Sequence, residues 1–137
     1  MDVRQIVQNK LDDVLLPDGV IANHLRRVKV DRIADSDVEV KQDEYVVFSI
    51  ISSHPRLYGD GEPLVSRIYV DINYYYTFAK TDPRYADVCR RVQSIKRQFL
   101  QDARFRLAND TSDIPDIDSP SRGVNIEFAF WGATDDV

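Results

Sequence analysis

The chain has 137 residues, 43% hydrophobic and 30% charged, which suits one folded domain with a real apolar core and argues against wholesale disorder. A single cysteine, Cys89, excludes an internal disulfide and a zinc cluster. The net charge of −5 gives no long-range attraction to free nucleic acid.

The N-terminal stretch MDVRQIVQNKLDDVLL lacks the long apolar region of a secretory leader. It reads instead as a helix over 2–15, with Val3, Ile6, Val7, Leu11, Val14 and Leu15 on one face. Asp2 is the expected N-cap, with Gln5 three residues on as in a capping box. Pro17-Asp18-Gly19 stops the helix. In the ambiguous stretch 20–27, Ile21, Leu25 and Val28 suggest a short helical turn. Val28 to Ile33 alternates and predicts a strand, and 34–44 is polar and loop-like.

Tyr45 to Ser52 predicts a strand with Val46, Phe48 and Ile50 facing one way. The segment SSHPRLYGDGEP, punctuated by Pro55, Gly59, Gly61 and Pro63, reads as a long loop. The clearest strand follows over 65–78. Ile68, Val70, Ile72, Tyr74, Tyr76 and Phe78 alternate on one face, and Arg67, Tyr69, Asp71, Asn73, Tyr75 and Thr77 on the other. That second face is aromatic and polar, and Arg67, Tyr69 and Tyr75 on it have the composition of a protein–protein contact.

Thr81-Asp82-Pro83 predicts a helix start, and the helix runs to about Gln101 with Tyr85, Val88, Cys89, Val92, Ile95 and Phe99 inward. A short strand is expected near Arg104–Ala108, an acidic loop over 109–122, and a last strand over 123–131. In that last strand Val124, Ile126, Phe128 and Phe130 oppose Asn125, Glu127, Ala129 and Trp131. The expected fold is α+β. It is one domain over 1–137, a two-layer sandwich in which two main helices pack on one face of a mostly antiparallel sheet of four or five strands.

The usual catalytic constellations do not assemble. None of the five glycines sits in a phosphate-binding loop, and no serine lies in a nucleophile elbow. His24 and His54 have no ligand pattern around them. Asp110, Asp113, Asp116 and Asp118 lack the spacing of a calcium loop and read as an acidic surface segment. Cys89 reads as a buried structural thiol. Asp71 and Glu127 would form a carboxylate pair if their strands are neighbours, which keeps a small metal-dependent hydrolase open as an alternative. The expectation is no catalytic, cofactor-binding or metal-binding residue.

Charge is uneven along the chain. Between Arg84 and Arg106, seven basic residues stand against two acidic ones, a local +5 that leaves −10 for the rest. Such asymmetry suits self-association, with Arg90 and Arg91 on one copy meeting Asp113 and Asp116 on the next. Trp131, on the non-core face of the last strand, joins the candidate contacts.

The order of elements resembles the tail terminator (tail completion) proteins of long-tailed phages and prophages. The resemblance is carried by the opening helix, the long strand SRIYVDINYYYT, the helix DPRYADVCRRVQSIKRQFL and the closing strand GVNIEFAFW. It implies a non-enzymatic subunit, made in the host cytoplasm and incorporated in the virion at the head–tail interface. The subunit would form a homo-hexameric ring that caps the tail tube protein and meets a head-completion or connector protein. DNA would pass through the ring without specific binding, and no membrane or cofactor would be involved. Another protein–protein adaptor of similar topology remains the other non-enzymatic reading.

Overall fold

The computed structural model describes residues 2–33, 36–59, 62–114 and 122–131; the side chains of residues 52–67, 110 and 111 are not described. Helix α1, Val3–Leu15, starts as its sequence dictates. The Asp2 carboxylate accepts from the Gln5 backbone N–H at 2.8 Å, satisfying one donor that a helix start leaves open. The Gln5 side chain donates onward to Asn9 at 2.9 Å rather than returning to Asp2. Val3, Ile6, Val7, Leu11 and Leu15 are buried. A single 3₁₀ turn at Leu16–Asp18 follows, and Gly19 takes φ +77°. Glycine is needed there, because a Cβ would come within 2.1 Å of the Glu39 carbonyl oxygen.

Ile21–His24 is strand β1, not the helical turn suggested by its apolar spacing. It pairs in parallel with β2, Glu44–Gly59, from Ile21↔Tyr45 to His24↔Phe48. Four residues are too few for periodicity to separate helix from strand, and parallel pairing is licensed by the long return over 25–43. The strand predicted over 28–33 does not form. Its pairing among the described residues is one bridge, Arg32↔Glu39, and Val28 is exposed.

Strand β3, Glu62–Tyr76, pairs antiparallel with β2 from Glu44↔Tyr76 to Gly59↔Glu62. Most of the loop expected over 53–63 is therefore strand. Its glycines and prolines accompany two register shifts, between Ser53 and Leu57 and between Leu57 and Tyr58. Residues 60 and 61 lie outside the described residues. Past Ser53 and Arg67 the hairpin is a two-stranded ribbon, because β1 reaches only Phe48 and the strand on the other side begins opposite Ile68.

Helix α2, Arg84–Leu100, follows Pro83 and buries Val88, Val92, Ile95 and Phe99, with Arg91 beside them. Cys89 corrects the expectation: it is exposed. The buried stripe is centred on Val88, Val92, Ile95 and Phe99, and Cys89 lies one step round the helix from it. Strand β4, Phe105–Ile114, is longer than expected and takes up the first part of the predicted acidic loop, with register shifts on either side of Asn109. Strand β5, Arg122–Phe130, closes the sheet.

Among the described residues the sheet has five strands in the order β1-β2-β3-β5-β4, antiparallel except for β1 against β2. Both helices share one core with the inner face of the sheet, so the architecture is the expected two-layer α+β sandwich. Phe99 of α2 stacks on Phe128 of β5 at 4.7 Å and meets Phe105 of β4 edge-on at 5.1 Å.

Asp102 locks the turn between α2 and β4. Its carboxylate accepts from the Arg104 backbone N–H at 3.0 Å and from Arg104 Nη2 at 2.8 Å, and Lys10 of α1 lies 3.3 Å away. The Arg104 hydrogen bonds, helped by Lys10 and only partly opposed by burial, hold the Asp102 carboxyl below the usual carboxylate range. A depressed folded-state pKa means stability that is present above the unfolded value of about 3.9 and is lost as pH falls through the lower folded value. Asp102→Asn is expected to cost about 1–2 kcal/mol at pH 7. Urea titrations at pH 7, 4 and 2.5 check this. The gap between wild type and variant should narrow on acidification; a gap independent of pH would refute the account.

Candidate functional site

With both helices on one side of the sheet, alternation leaves β2, β3 and β5 with a second face that no helix covers among the described residues. Register arranges it in rungs. Tyr45, Tyr75 and Gly123 form one; Val47, Asn73 and Asn125 the next; then Ser49, Asp71 and Glu127; then Ile51, Tyr69 and Ala129. Asn109 and Arg106 of β4 extend the last two rungs.

The first rung is aromatic. Tyr45 stacks on Tyr75 with centroids 5.0 Å apart, and the Arg27 guanidinium lies 4.2 Å over the Tyr45 ring. Arg27 also donates to the Gln42 carbonyl, so the β1–β2 connection laps over this end of the face. The middle rungs are polar and bonded to each other. Asn125 Nδ2 donates to Asp71 and, at 2.8 Å, to Asn73 Oδ1, and Asn109 Nδ2 donates to Glu127 Oε2 at 3.1 Å. Asp71 and Glu127 thus stand directly opposite on neighbouring strands. Like charges so placed repel, and the two amides offset that repulsion. The last rung is apolar at its rim, with Ile51 56% exposed.

A second constellation joins the helical layer to strands β2 and β3. Arg91 of α2 is buried, and its Nε donates to Asp18 at 3.0 Å. Its Nη1 reaches Glu44 Oε1 at 2.8 Å and the Tyr74 hydroxyl oxygen at 3.3 Å, and that hydroxyl donates to the same Glu44 oxygen at 2.7 Å. Burial, then the Glu44 carboxylate, push the Tyr74 phenol well above its ordinary range. Burial works against the Arg91 charge, yet Tyr74, Asp18 and Glu44 together hold its pKa above that of a free arginine. Above this cluster, Arg90, Ser94, Arg97 and Gln98 of α2 and its C-cap Gln101 face Val14 and Asp18 across a cleft of about 210 Å³ with Arg91 in its wall.

The predicted contact residues fall in three places. Tyr69 and Tyr75 share the open face, half-buried on it. Trp131, just beyond β5, is 39% exposed, and its backbone N–H donates to the Arg104 carbonyl at 2.8 Å. Arg67 pairs through its backbone with Ser53, but its side chain is outside those described. Arg90 is an exposed wall of the cleft, 3.6 Å from Asp18 and 3.5 Å from Asp87. Arg91 is not the free surface cation that the charge run suggests: it sits on the edge of the buried stripe, committed to carboxylates of its own chain. Asp113 pairs with Lys80 at the far side of α2, and Asp116 lies outside the described residues.

Sequence reasoning missed Tyr45 as a site residue, although its parity within β2 puts it on the outer face. It also missed Asp18 and Glu44, for which no local signal exists; only the tertiary packing brings them to Arg91. Among the described residues, no group of three or more His, Cys, Asp or Glu side chains could hold a metal ion, and no helix is long and apolar enough to cross a membrane. Comparison of the chain with models of known protein families and with curated protein sequences finds no match to either.

Proposed function

We propose that the chain is a structural subunit that acts through its surfaces, a tail-terminator-like ring component of a long-tailed phage or prophage. In this reading, copies assemble into a homo-hexameric ring on the tail tube protein and present a docking surface to a head-completion or connector protein, with DNA passing through the ring. The observation that carries the reading is the open sheet face. It is three strands wide and has a tyrosine stack at one end and apolar rim at the other. Between them runs a polar ladder whose groups are already hydrogen-bonded to each other. A partly paired polar ladder flanked by aromatic and apolar groups suits burial under another protein surface that supplies donors to the Asp71 and Glu127 carboxylates. The two-stranded ribbon past Ser53 and Arg67 supports it further, since an isolated hairpin is marginal in water and gains from a partner.

Native mass across a range of concentrations tests the proposal. A discrete assembly near six copies, with a central hole in negative-stain images, is expected. Tyr75→Lys, which puts a cation into the tyrosine stack, should weaken assembly by about tenfold or more while the monomer keeps its fold. A chain that stays monomeric at high concentration both alone and with tail tube protein added refutes the ring.

One observation favours a different reading. The direct opposition of Asp71 and Glu127 is the geometry a divalent cation could bridge, as in a small metal-dependent hydrolase. Binding of Mn²⁺ that is lost in Asp71→Asn, measured by calorimetry, would support that alternative.

A further inference from the structure

On the side of α2 that faces β4, a groove of about 270 Å³ opens between the helix and strands β4 and β5. Its floor is apolar and made of Val88, Val92 and Val124, all buried. A closed apolar cavity of about 150 Å³ takes benzene, so this groove has room for a two-ring body. The polar groups at its mouth already have partners. A hydrogen bond with Cys89, then burial, raise the Tyr85 phenol above its ordinary range. Asp113 pairs with Lys80, whose ammonium also lies 5.9 Å over the Tyr85 ring.

One donor at this end of the groove is unused. Tyr76 is fully buried on the inner face of β3, with its ring centroid 5.7 Å from that of Tyr85. Its hydroxyl has no hydrogen-bond partner among the described residues. A buried hydroxyl so placed is costly until an acceptor reaches it. Burial raises its phenol above the ordinary range, so the group stays protonated at neutral pH and can donate. Lys80 and Arg122 act on the hydroxyl as cations, against the Asp113 carboxylate. Lys80 is committed to Asp113. Arg122, aligned with Tyr76 across β3 and β5, is exposed and has no ion-pair partner among the described residues. The Lys80–Asp113 pair is itself exposed on both sides, so water screens it and a competing carboxylate can displace Asp113. An apolar floor ending at an unpaired hydroxyl and a spare guanidinium suits a ligand with an apolar body and one anionic acceptor.

We infer that the groove between α2 and strands β4 and β5 binds a small aromatic carboxylate. Its rings lie on Val88, Val92 and Val124, and its carboxylate accepts from the Tyr76 hydroxyl beside Lys80 and Arg122. The inference goes beyond the ring reading and does not depend on it.

Cys89 reports on occupancy, because its exposed thiol lines the groove. With 2-naphthoate as the probe, calorimetry should show binding to wild type, and the probe should slow alkylation of Cys89 by iodoacetamide. Tyr76→Phe removes the unpaired hydroxyl alone, so it should keep or raise the melting temperature while weakening 2-naphthoate by about tenfold. Arg122→Gln, at an exposed position, should weaken it by about threefold and carries the same test if Tyr76→Phe fails to fold. Absence of both heat and protection at millimolar 2-naphthoate overturns the site. Equal affinity in wild type and both variants overturns the assignment of the carboxylate to Tyr76 and Arg122. Equal binding of the neutral 2-naphthalenemethanol overturns the anionic ligand in favour of a purely apolar one. A Cys89 thiol already protected without the probe overturns the proposal by naming a protein occupant. That occupant is a second copy if protection grows with protein concentration, and the chain's own stretch 115–121 if it does not.

Discussion

Arg91→Met is expected to remove about 3–5 kcal/mol of folding stability, the largest effect of any single substitution outside the apolar core. The expectation follows from what stays behind. Glu44 is 2% exposed and accepts from Arg91 Nη1 at 2.8 Å. Without the guanidinium, a buried carboxylate retains one hydroxyl donor, Tyr74, whose own proton is already directed to it. Asp18, on the turn after α1, simultaneously loses its bond to α2. The double variant Arg91→Met with Glu44→Gln should recover much of the loss, because it removes both charges of the buried pair together. Urea unfolding of the three proteins measures this directly. A loss under about 1 kcal/mol for the single variant would mean that the cluster is hydrated and worth no more than a surface ion pair.

Phe99→Ala should cost a similar 3–5 kcal/mol, for a different reason. Phe99 is fully buried, stacked on Phe128 and edge-on to Phe105, so it joins α2 to both of the last two strands. Truncation removes the transfer free energy of the ring and leaves a void that two other aromatic rings, fixed in strands, cannot easily fill. The neighbouring Leu100 is 48% exposed, and its replacement by alanine should change stability by no more than about 0.5 kcal/mol. The pair makes a clean comparison: equal denaturant slopes with midpoints shifted for Phe99→Ala and unshifted for Leu100→Ala. Similar shifts for both would contradict the burial on which the argument depends.

Where the fold was legible, one period ran long enough to dominate. The alternation from Ile68 to Tyr76 and from Val124 to Phe130, and the helical stripes of α1 and α2, specify both element type and inward face. Three places were not legible. Four residues of β1 cannot declare a period, and their pairing partner lies across a 19-residue return. The apolar alternation of Val28 to Ile33 is real, but no strand lies alongside to accept it. Proline and glycine over 53–63 look the same in a loop and in a hairpin with irregular register. The site divides in the same way. Tyr69 and Tyr75 follow from parity, whereas the fate of Arg91 depends on Asp18 and Glu44. Those partners are 73 and 47 residues away in sequence and leave no local trace. A run of arginines on a helix therefore reads as one contact surface although one member, Arg91, is buried.

The one-sided core also sets where this chain can tolerate a change in length. Between Ile68 and Tyr76, β3 is paired on both edges, and a single inserted residue would exchange its two faces. Asp71 and Asn73 would turn inward and Val70 and Ile72 outward, so insertion there should be lethal to folding. Near Gly59 and Glu62 the same insertion lengthens a ribbon paired along one edge, next to register shifts already present. A tag or a lengthened hairpin placed there would leave the rungs of the open face in register. Length variation among natural variants of this chain should accordingly gather at the hairpin tip and stay out of the nine residues that carry the face.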